Sequence, residues 1–479
     1  MTNSRQIAPE QLEKQRKYAE GVREYWETKG RKPLAQVITY GCQQNENDSE
    51  RIRGMLFEMG YGFTEDKEEA DLILFNTCAV REGAELRVLG NVGALKHLKA
   101  RKPETVIGIC GCMMQQEHMV KQIKAKYKHV SVVFGTHTLH RLPEILSGVL
   151  GNGERVLCVE DSEGAIAEDV PVYREGDVKA WVSVMYGCNN FCTYCIVPYV
   201  RGRERSRSPE KILEEVRGLA QKGVKEITLL GQNVNSYGKD ADFGMDFADL
   251  LREVDRVEGI RRIRFMTSHP KDMTDRLIDA MAECGKVTRQ LHLPVQAGSS
   301  RILKEMNRRY TKEQYLALVE KVRARLGEIA LTSDIIVGFP GETEEDFAQT
   351  LDILEAVRFD SVYSFLYSKR SGTPAAEMPD QVPEEEKHAR FDRLLEVQNR
   401  ISREINEKYF GKTVELLAEG ESKTDPGVLT GRTSEGKIVN FPDDGETRAG
   451  DFVNVKITKV GTWSLTGERV METDGKEVK

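Results

Sequence analysis

Three cysteines within eight residues constrain this chain more than any other feature of its sequence. Cys188, Cys192 and Cys195 follow the spacing C-x3-C-x2-C in the stretch from Met185 to Arg203. Thiolates are soft ligands that favour iron–sulfur clusters, zinc or copper(I). A closed 4Fe–4S cluster normally takes four cysteines, so three thiolates leave one iron open to bind another molecule. The apolar tripeptide after the last cysteine predicts a wall that keeps water from such a site.

Two other interpretations of this cysteine loop stand beside the cluster. A structural zinc ion needs a fourth ligand, and within 35 residues on either side only Cys158 offers another Cys or His side chain. Three unligated cysteines on one short polar loop would be readily oxidised. The spacing resembles that of radical S-adenosylmethionine (SAM) enzymes, and the sequence therefore predicts a cluster that binds SAM.

Length and composition limit the classes of protein that the chain can form. At 479 residues it has room for about three domains. The net charge of −7 does not indicate nucleic-acid binding, so any such binding needs a local basic surface. No apolar run is long enough to cross a membrane, and the polar start does not resemble a secretory signal. Nine cysteines, an odd number, indicate a reducing compartment, and we expect the cytoplasm.

Residues 1–34 form a polar N-terminal extension with eight basic and five acidic side chains. The segment predicts a helix preceded by a loose tail. We interpret it as a solvated extension in preference to a nucleic-acid-binding arm, because mixed charge of this kind is typical of a solvent-facing helix.

Residues 35–150 carry a repeated strand-and-helix pattern in which each of the first three strands is followed by a cysteine. Short apolar runs at 36–40, 71–75, 105–109 and 129–134 predict buried parallel strands, with helices between them. Cys42, Cys78 and Cys112 follow the first three strands at intervals of 36 and 34 residues. Because ligands of such sheets gather at the carboxyl ends of strands, we expect these cysteines to converge on a second metal cluster. Buried cysteines that pack as small hydrophobic residues are the alternative.

The third of these strands also contains Cys110, and the choice between Cys110 and Cys112 as ligand is made on position. Cys110 follows Ile109 inside the apolar run, whereas Cys112 follows a glycine, as Cys42 does. Alternation along an ideal strand puts both cysteines on one side, so it does not separate them. Gly111 can turn the chain out of the strand, and we therefore assign the ligand to Cys112.

After a Gly- and acid-rich linker at 151–174, residues 175–405 resume the alternation of strands and helices. Six strands are predicted, at 181–186, 226–230, 262–266, 290–293, 332–337 and 361–367. Six units favour a partial (β/α)6 barrel over a complete eight-fold one, and sites on such barrels lie at the carboxyl ends of the strands. The cysteine loop follows the first strand and is predicted at that end.

Two glycine-containing turns at predicted strand ends are candidates for binding SAM. Gly231, Gln232 and Asn233 follow the second strand, and a second set follows the fifth strand. Glycines there allow close backbone approach to a cofactor, although such turns are commonly only turns. The second set consists of Gly338, Gly341 and Glu342.

Four arginines at alternate positions, Arg201, Arg203, Arg205 and Arg207, follow the cysteine loop. In an extended segment they share a face, which fits either phosphate contacts or a salt-bridged rim of the barrel, and the sequence favours neither. No catalytic acid or base is assigned.

Residues 406–473 change character after a charged helix at 383–409, which we interpret as a solvated connector. Five short segments alternate apolar and polar residues with Gly-rich turns between them, at 414–418, 427–433, 437–441, 452–460 and 464–470. This pattern predicts a small antiparallel β-barrel. Barrels of this OB-like kind often bind nucleic acid.

The three parts in this order resemble the methylthiotransferase family of radical SAM enzymes, an α/β multidomain family with an N-terminal α/β domain, a radical SAM barrel and a C-terminal TRAM domain. The resemblance covers about residues 35–470. It is carried by Leu229–Gly238, Thr267–Pro270 and Cys188–Tyr199, which are similar to the branch that modifies isopentenyl-adenosine. Gln44 departs from the pattern, which usually has Met after Cys-Gln, and only local packing is affected.

The resemblance implies an activity: addition of a methylthio group to carbon 2 of isopentenyl-modified adenosine next to the tRNA anticodon. The alternative within the family is the enzyme for threonylcarbamoyl-adenosine in tRNA. Cys188, Cys192 and Cys195 are implied to hold a 4Fe–4S cluster that cleaves SAM reductively to a 5′-deoxyadenosyl radical. A second 4Fe–4S cluster on the N-terminal cysteines is implied to deliver methylated sulfur, with SAM as both methyl donor and radical source.

The implied partners are a tRNA substrate, bound in part by the terminal barrel, and a reduced electron donor of the flavodoxin or ferredoxin type, with no membrane. We expect a monomer. Two other classes are an electron-transfer protein with two closed clusters and a nucleic-acid-binding protein with structural zinc. The three-cysteine count at both sites argues against closed clusters.

Overall fold

The computed structural model of the chain describes residues 6–79, 82–160, 164–174, 176, 178–423 and 425–470. It contains a parallel α/β domain, a partial barrel and a small closed barrel, in that order along the chain. The predicted fold class is confirmed. No helix among these residues is sufficiently long and apolar to traverse a bilayer.

The N-terminal domain is built on six parallel strands in the order β2-β1-β3-β4-β5-β6. Strands β1, β3, β4 and β5 are the predicted ones, and Leu72–Thr77 and Val106–Gly111 are buried throughout, as apolar strands covered on both faces must be. The elements are α1 (Pro9–Thr28), β1 (Leu34–Tyr40), α2 (Gln43–Glu58), β2 (Gly62–Phe63), β3 (Leu72–Thr77), α3 (Glu82–Arg101), β4 (Val106–Gly111), α4 (Glu117–Lys126), β5 (Val132–Phe134), α5 (Leu142–Asn152) and β6 (Val156–Cys158), with 3-10 segments at Cys112–Gln115 and Thr136–Arg141.

Residues 156–158 lie within the predicted linker, in the Val-Leu-Cys-Val segment where Cys158 is most simply a strand residue, and they form β6, which pairs with β5 as an edge of the sheet. One sequence-based interpretation of this region needs correction. The predicted solvated extension contains α1, whose Ala19, Val22 and Trp26 are buried against the domain core. Trp26 Nε1 donates to Tyr61 Oη at 3.1 Å. The prediction of a solvated extension is wrong for α1 because charged residues outnumber the few apolar residues, which repeat at helical spacing along one narrow face.

The six predicted strands of the second domain are all present, in the order β7-β10-β11 and β12-β13-β14. A parallel bridge between Ile263 and Val287 joins the two groups into one curved sheet. The elements are β7 (Lys179–Ser183), β8 (Met185–Tyr186), α6 (Val197–Arg201), β9 (Arg205–Ser206), α7 (Pro209–Gln221), β10 (Glu226–Leu230), α8 (Phe247–Asp255), β11 (Arg262–Phe265), α9 (Asp275–Glu283), β12 (Gln290–His292), α10 (Ser300–Glu305), α11 (Lys312–Leu326), β13 (Ala330–Val337), α12 (Glu344–Val357), β14 (Ser361–Leu366) and α13 (Glu384–Glu407), with 3-10 segments at Val234–Ser236, Pro270–Asp272 and Pro374–Ala376.

The helix α13 packs on the barrel and is not the solvated connector that its charge suggested. Leu394 and Ile401 are fully buried in the same core as the barrel strands. Gln398 Nε2 donates to the Phe359 carbonyl at 2.9 Å, just before β14. One face of a strongly charged helix therefore completes the barrel wall beside β14.

The C-terminal domain is a closed barrel in the order β15-β16-β17-β19-β18. All neighbouring pairs are antiparallel except β17 and β19, which run parallel over two residues. The strands are β15 (Thr413–Glu421), β16 (Val428–Thr433), β17 (Ile438–Pro442), β18 (Phe452–Val460) and β19 (Leu465–Arg469). Closure leaves no unpaired sheet edge in this small domain.

The small barrel docks on the amino ends of the barrel strands. Arg264 at β11 donates to the Thr433 carbonyl at 2.8 Å, and Arg262 donates to the Arg432 carbonyl at 2.7 Å. Lys437 forms an ion pair of 2.7 Å with Asp360, which precedes β14. The carboxyl ends of the same strands, where the cysteine loop begins, face the N-terminal domain and solvent.

Candidate cluster sites

The cysteine loop lies between β8 and α6, at the carboxyl end of the first barrel strand as predicted. The Cys195 amide donates to the Cys192 carbonyl at 2.9 Å, and the Cys188 amide donates to the Gly202 carbonyl at 3.1 Å. Gly187, with φ of 76°, lets the chain pass within contact of the 202–203 backbone, where a Cβ would stand 2.0 Å from the Arg203 carbonyl oxygen. The loop therefore closes on itself and holds its three thiols together.

Burial and one cation set the electrostatics of this loop. Burial raises the pKa of the Cys188 thiol to about 12 and also raises the pKa of Cys195, with the neighbouring cysteines adding to the rise in Cys195. Arg308 is buried and its Nη1 lies 3.5 Å from Cys192 Sγ. A metal must displace the thiol protons to bind here, and a guanidinium at this distance offsets part of the negative charge that results.

Sequence reasoning missed Arg308 because more than a hundred residues separate it from the cysteines. Its other donors are fixed: Nη2 donates to the Pro294 carbonyl at 2.8 Å and Nε to Tyr310 Oη at 2.9 Å. These contacts aim the remaining Nη1 at the loop.

A cavity of about 270 Å³ opens beside Cys195 at the carboxyl ends of β13 and β14. Asp334, Arg370 and Gln296 supply polar groups, and most of the remaining lining residues are aromatic or aliphatic. Gln296 has φ of 74° and a buried Oε1 without a hydrogen-bond partner among the described residues. The volume approaches that of small-molecule sites, roughly 300 Å³ and above. None of these polar residues belongs to a sequence motif that could have revealed it.

The first predicted SAM-binding turn lies next to the cysteine loop. Gln232 Oε1 accepts from the Gly187 amide at 2.6 Å, which ties this turn to the start of the loop. Asn233 Nδ2 donates to Asp272 at 2.8 Å. A Cβ on Gly231 would stand 2.6 Å from Met185 Cγ, so the glycine is required for the two turns to meet.

The second predicted turn makes its described contacts elsewhere, with α13. Glu342 accepts from the Gly338 amide at 3.0 Å and from Arg390 at 3.1 Å. A Cβ on Gly338 would stand 2.3 Å from Lys387 Cγ. The Gly341 amide donates to the Asp380 carbonyl. These glycines and the glutamate hold α13 against the end of β13, and their predicted contact with SAM stays a prediction.

The N-terminal cysteines follow three adjacent strands and meet at one edge of the sheet. Cys42 begins α2 after β1, Cys78 follows β3, and Cys112 begins the 3-10 segment after β4. Burial raises the pKa of Cys112 to about 12, Arg201 opposes the rise, and Cys78 and Cys42 add to it, which places all three thiols within electrostatic reach. Cys110 instead packs in the core.

An amide network holds these strand ends in register. Asn45 Nδ2 donates to Asn76 Oδ1 and to the Thr77 carbonyl, both at 3.3 Å. Asn76 Nδ2 donates to the Asn45 carbonyl at 2.8 Å and to Ser49 Oγ at 2.9 Å. Cys42 Sγ lies 3.4 Å from Asn45 Oδ1. The first turn of α2 is thereby fixed to the end of β3.

The short helix α6 links the two cysteine sets. Cys112 packs against Ile196 and Val200 in one small apolar cluster. Arg201, the last residue of α6, donates from Nε to Cys112 Sγ at 3.1 Å and from Nη2 to Asp48 at 2.8 Å. A helix of five residues is about 7.5 Å long, so the two sets face each other across a few apolar side chains.

The arginine run does not form a phosphate-binding face. Arg201, Arg205 and Arg207 are all about 95% buried. Arg207 pairs with Glu168 and Glu215, each at 2.8 Å. The salt-bridged interpretation is therefore correct for Arg207 and for Arg201, which pairs with Asp48. Arg205 donates to the carbonyls of Arg203 and Arg201. Only Arg203 remains at the surface, where its guanidinium lies 4.4 Å from the ring centre of Phe191.

Both cysteine sets fit iron–sulfur clusters by their donor chemistry. Each supplies three sulfur donors, and each has an arginine donor on one sulfur. Among the described residues, no three His, Cys, Asp or Glu side chains are grouped so as to hold a single metal ion. The thiolates of a cluster each bind a different iron.

Family models match the chain in the order of its three domains. The Uncharacterized protein family UPF0004 matches residues 35–135, the Radical SAM superfamily matches 182–354, and the TRAM domain matches 407–470. The radical S-adenosylmethionine methyltransferase TsrM from Kitasatospora setae shares the fold, with a TM-score of 0.52 at 15% identity over 81% of this chain and 79% of that chain. Fold and cysteine loop define a radical SAM enzyme, a class that uses SAM and a 4Fe–4S cluster.

Curated relatives identify the branch within this class. The tRNA-2-methylthio-N(6)-dimethylallyladenosine synthase of Acetivibrio thermocellus is 59% identical over 97% of both chains. Proteins of the same name are 56% identical in Alkaliphilus oremlandii, over 97% of this chain and 98% of that one, and 52% identical in Clostridioides difficile, over 96% and 97%. The chain belongs to the tRNA-2-methylthio-N(6)-dimethylallyladenosine synthase family.

Proposed function

We propose that this protein is a radical SAM methylthiotransferase that adds a methylthio group to carbon 2 of isopentenyl-modified adenosine next to the tRNA anticodon. The observation that carries the proposal is the hydrogen bond from Arg201 to Cys112. Arg201 ends α6, the helix that follows the cysteine loop, and Cys112 belongs to the N-terminal cysteines. Two sulfur-rich sites on either side of one short helix suit a reaction that activates a carbon at one site and supplies sulfur from the other. Identity of 52–59% to named relatives favours this substrate over threonylcarbamoyl-adenosine.

Cys188, Cys192 and Cys195 are the proposed ligands of the SAM-binding cluster. A 4Fe–4S cluster with one open iron supplies an electron for the reductive cleavage of SAM when it is bound there. The chain's own contribution is to hold three thiolates on one tight loop, to balance their charge with Arg308 and to exclude water with Ile196 and Val200.

Cys42, Cys78 and Cys112 are the proposed ligands of a second 4Fe–4S cluster. Three features support this assignment: the equivalent strand-end positions, the mutual influence of the thiols on the pKa of Cys112, and the Arg201 donor. With three thiolates, this cluster also keeps one iron open for a sulfur ligand.

SAM binding is proposed at the turn of Gly231, Gln232 and Asn233, which is hydrogen-bonded to the cysteine loop. The cavity beside Cys195 is the proposed space for the rest of SAM or for the target base. The TRAM barrel is the proposed tRNA-binding module. A reduced flavodoxin- or ferredoxin-type donor, a monomeric state and a cytoplasmic location remain predictions of the sequence.

Nucleoside analysis tests the substrate directly. Mass spectrometry of tRNA digests from a strain that lacks this gene should show loss of the 2-methylthio form of isopentenyl-adenosine and accumulation of isopentenyl-adenosine. Wild-type protein should restore the modified base, and the Cys192→Ala variant should not. Loss of 2-methylthio-threonylcarbamoyl-adenosine, with the isopentenyl product intact, would instead establish the alternative substrate.

The assignment of the SAM cluster has a test of its own in vitro. Under strong reductant the Cys192→Ala variant should form no 5′-deoxyadenosine from SAM, because one iron loses its ligand. It should retain about half of the wild-type iron, held by the second cysteine set. Normal 5′-deoxyadenosine formation by the variant would refute the assignment.

A further inference from the structure

A small cavity of about 50 Å³, partly open to solvent, lies between the N-terminal domain and the barrel, away from the SAM-proximal cavity. Its walls come from α2, from the 3-10 segment Thr136–Arg141, from residues 165–170 and from Tyr186 ahead of the cysteine loop. A site for one water needs roughly 10–15 Å³ by this kind of measure. The cavity therefore has room for only a few single-atom groups.

Positive charge dominates the cavity wall. Arg51, Arg201 and Arg205 line it, and Asp48 is the one carboxylate among its described lining residues. Asp48 is already paired with Arg201 at 2.8 Å. His137 also lines the cavity, and burial followed by the nearby arginines lowers its pKa to about 4, so the ring adds no charge at neutral pH. The Arg51 guanidinium also lines a neighbouring cleft with Glu168 and Glu215, and its charge helps to lower the pKa of Glu215. On the cavity side the three arginines outnumber the one carboxylate, which favours an anion.

Two buried hydrogen-bond donors of this wall lack partners among the described residues. They are Arg51 Nε and Tyr186 Oη. Arg51 is 8% exposed, and its guanidinium lies 5.7 Å from the ring centre of Tyr186. Buried polar atoms are nearly always satisfied, so two neighbouring orphans indicate a small acceptor between them. An arginine N–H can only donate, and a tyrosine hydroxyl can donate to an anion.

The position of the cavity connects the protein surface with the second cysteine set. Its outer wall shares His137, His140 and Ala165 with a surface cleft of about 450 Å³ beside α1. Its inner wall contains Arg201, which donates to Cys112 Sγ at 3.1 Å. A group in the cavity is thus separated from the cysteine by a single side chain.

A methylthiotransferase needs a route by which sulfur reaches the second cysteine set. The inference that follows therefore rests on the proposed methylthiotransferase function. Each product molecule carries away one sulfur atom, so sulfur must be replaced before the next turnover. Hydrosulfide is a single-atom anion that accepts hydrogen bonds. Its sulfur is already at the oxidation level of a thioether, so its entry needs no oxidant or reductant.

We propose that the cavity bounded by Arg51, Tyr186 and Arg201 is the entry site through which free hydrosulfide reaches the second cysteine set. The Arg51 guanidinium and the Tyr186 hydroxyl hold the anion, and Arg201 passes it towards Cys112. His137 and Ala165 line both the cavity and the surface cleft, and the small volume of the cavity suits a single-atom anion better than the cysteine loop of a protein persulfide donor.

Bromide is a singly charged sphere that can report binding in the cavity without turnover. Crystals of the anaerobically purified holoenzyme, soaked in sodium bromide, should show an anomalous bromine peak beside Arg51 and Tyr186. The peak should be absent from Arg51→Gln crystals and present in Arg53→Gln crystals. Arg53 is the matched control, since it lies on the same helix and bonds to the Val37 carbonyl instead of lining the cavity. A wild-type cavity without bromide would overturn the proposal.

Sodium sulfide titration tests the route itself. In wild-type enzyme and Arg53→Gln, added sulfide should support product beyond the first turnover. In Arg51→Gln the sulfide concentration for half-maximal turnover should rise about tenfold, the effect of losing one charge-assisted hydrogen bond. Ala165→Leu, which adds bulk where the cavity and the surface cleft share their lining and keeps every charge, should raise this sulfide concentration as well. Iron content, SAM cleavage and product of the first turnover should not change in either variant.

The outcomes separate this inference from the proposed function. If wild-type protein forms no methylthiolated tRNA, the proposed function fails. If it does, and both cavity variants respond to sulfide as wild type, the route is refuted and any bromide found is an adventitious ion only. Turnover sustained by a protein persulfide and not by free sulfide would also refute it.

Discussion

At the scale of single residues, one glycine separates a cysteine of the core from a proposed cluster ligand. Cys110 and Cys112 are two positions apart and would share a side of an ideal strand. Gly111 adopts φ of 94°, and a Cβ there would stand 2.5 Å from Asn76 Oδ1. The chain therefore turns out of β4 after Cys110, and Cys112 reaches Ile196 at the facing site while Cys110 stays in the core.

Alanine variants of these two cysteines should behave differently. Cys112→Ala should lose about half of its iron, one cluster of two, and all methylthiolation, yet still cleave SAM. Cys110→Ala should keep both clusters and lose only about 1 kcal/mol of stability, because a small buried volume is removed. Iron analysis and product assays compare them. Loss of the second cluster in Cys110→Ala, with retention in Cys112→Ala, would reverse the assignment.

The buried pair of Arg201 and Asp48 should show strong energetic coupling. Arg201→Met leaves the Asp48 carboxylate buried without its partner, which costs about 3–5 kcal/mol. Adding Asp48→Leu removes the stranded charge and should recover most of that loss. Denaturant midpoints of the two single variants and the double variant measure the coupling. Additive effects would show that the pair is not coupled in the folded protein.

The sequence predicts six cysteines as cluster ligands, but it does not reveal the arginines that contact their sulfur atoms. Cysteine spacing and strand-end position are local properties, so they can be read along the chain. Arg308 reaches Cys192, and Arg201 reaches Cys112, only after folding brings segments 116 and 89 residues apart together. Gln296 carries no pattern at all until its positive φ and buried oxygen are seen.

At the scale of secondary-structure elements, strands were predicted better than charged helices. A strand buried on both faces must be apolar at nearly every position, so its ends are visible in the sequence. The edge strands β2 and β6 are two and three residues long and offer no such run. In α1 and α13 the apolar stripe is narrow, and overall charge hides it.

The role of α1 in the core gives a prediction for stability. Trp26→Ala removes a buried indole and its hydrogen bond to Tyr61, and it should lower the free energy of unfolding by about 3–5 kcal/mol. Glu24 is exposed on the same helix, so Glu24→Ala should change stability by less than about 0.5 kcal/mol. Thermal and denaturant unfolding compare the two. If the two variants had the same free energy of unfolding, α1 would be a solvated extension and not part of the core.

At the scale of the whole molecule, the TRAM barrel and the cysteine loop lie at opposite ends of the barrel strands. The longest strand of the radical SAM barrel, β13, has eight residues. It spans roughly 26 Å at about 3.3 Å per residue. A tRNA that contacts both ends must therefore reach along the open side of the partial barrel. Removing the TRAM barrel would also uncover Arg262 and Arg264, whose carbonyl partners lie within it. A surface substitution is thus a cleaner test than deletion.

Trp463 is the place to test tRNA binding by the TRAM barrel. It is 64% exposed in the turn between β18 and β19, where Asn406 of α13 fixes the backbone of residues 461 and 462. Stacking of a base on an aromatic ring is worth about 1–3 kcal/mol, so Trp463→Ala should weaken tRNA binding about tenfold. Phe57→Ala is the matched control, since Phe57 is 56% exposed on the N-terminal domain.

Salt dependence separates stacking from charge at this surface. Trp463→Ala removes no charge, so the slope of log affinity against log salt should stay at the wild-type value. Lys459→Gln, on the exposed side of β18, should reduce that slope by about 0.7–0.9, the contribution of one phosphate contact. SAM cleavage without tRNA should be normal in both variants, because the cysteine loop lies at the other end of the strands. Unchanged affinity in Trp463→Ala would remove this turn from the tRNA-binding surface.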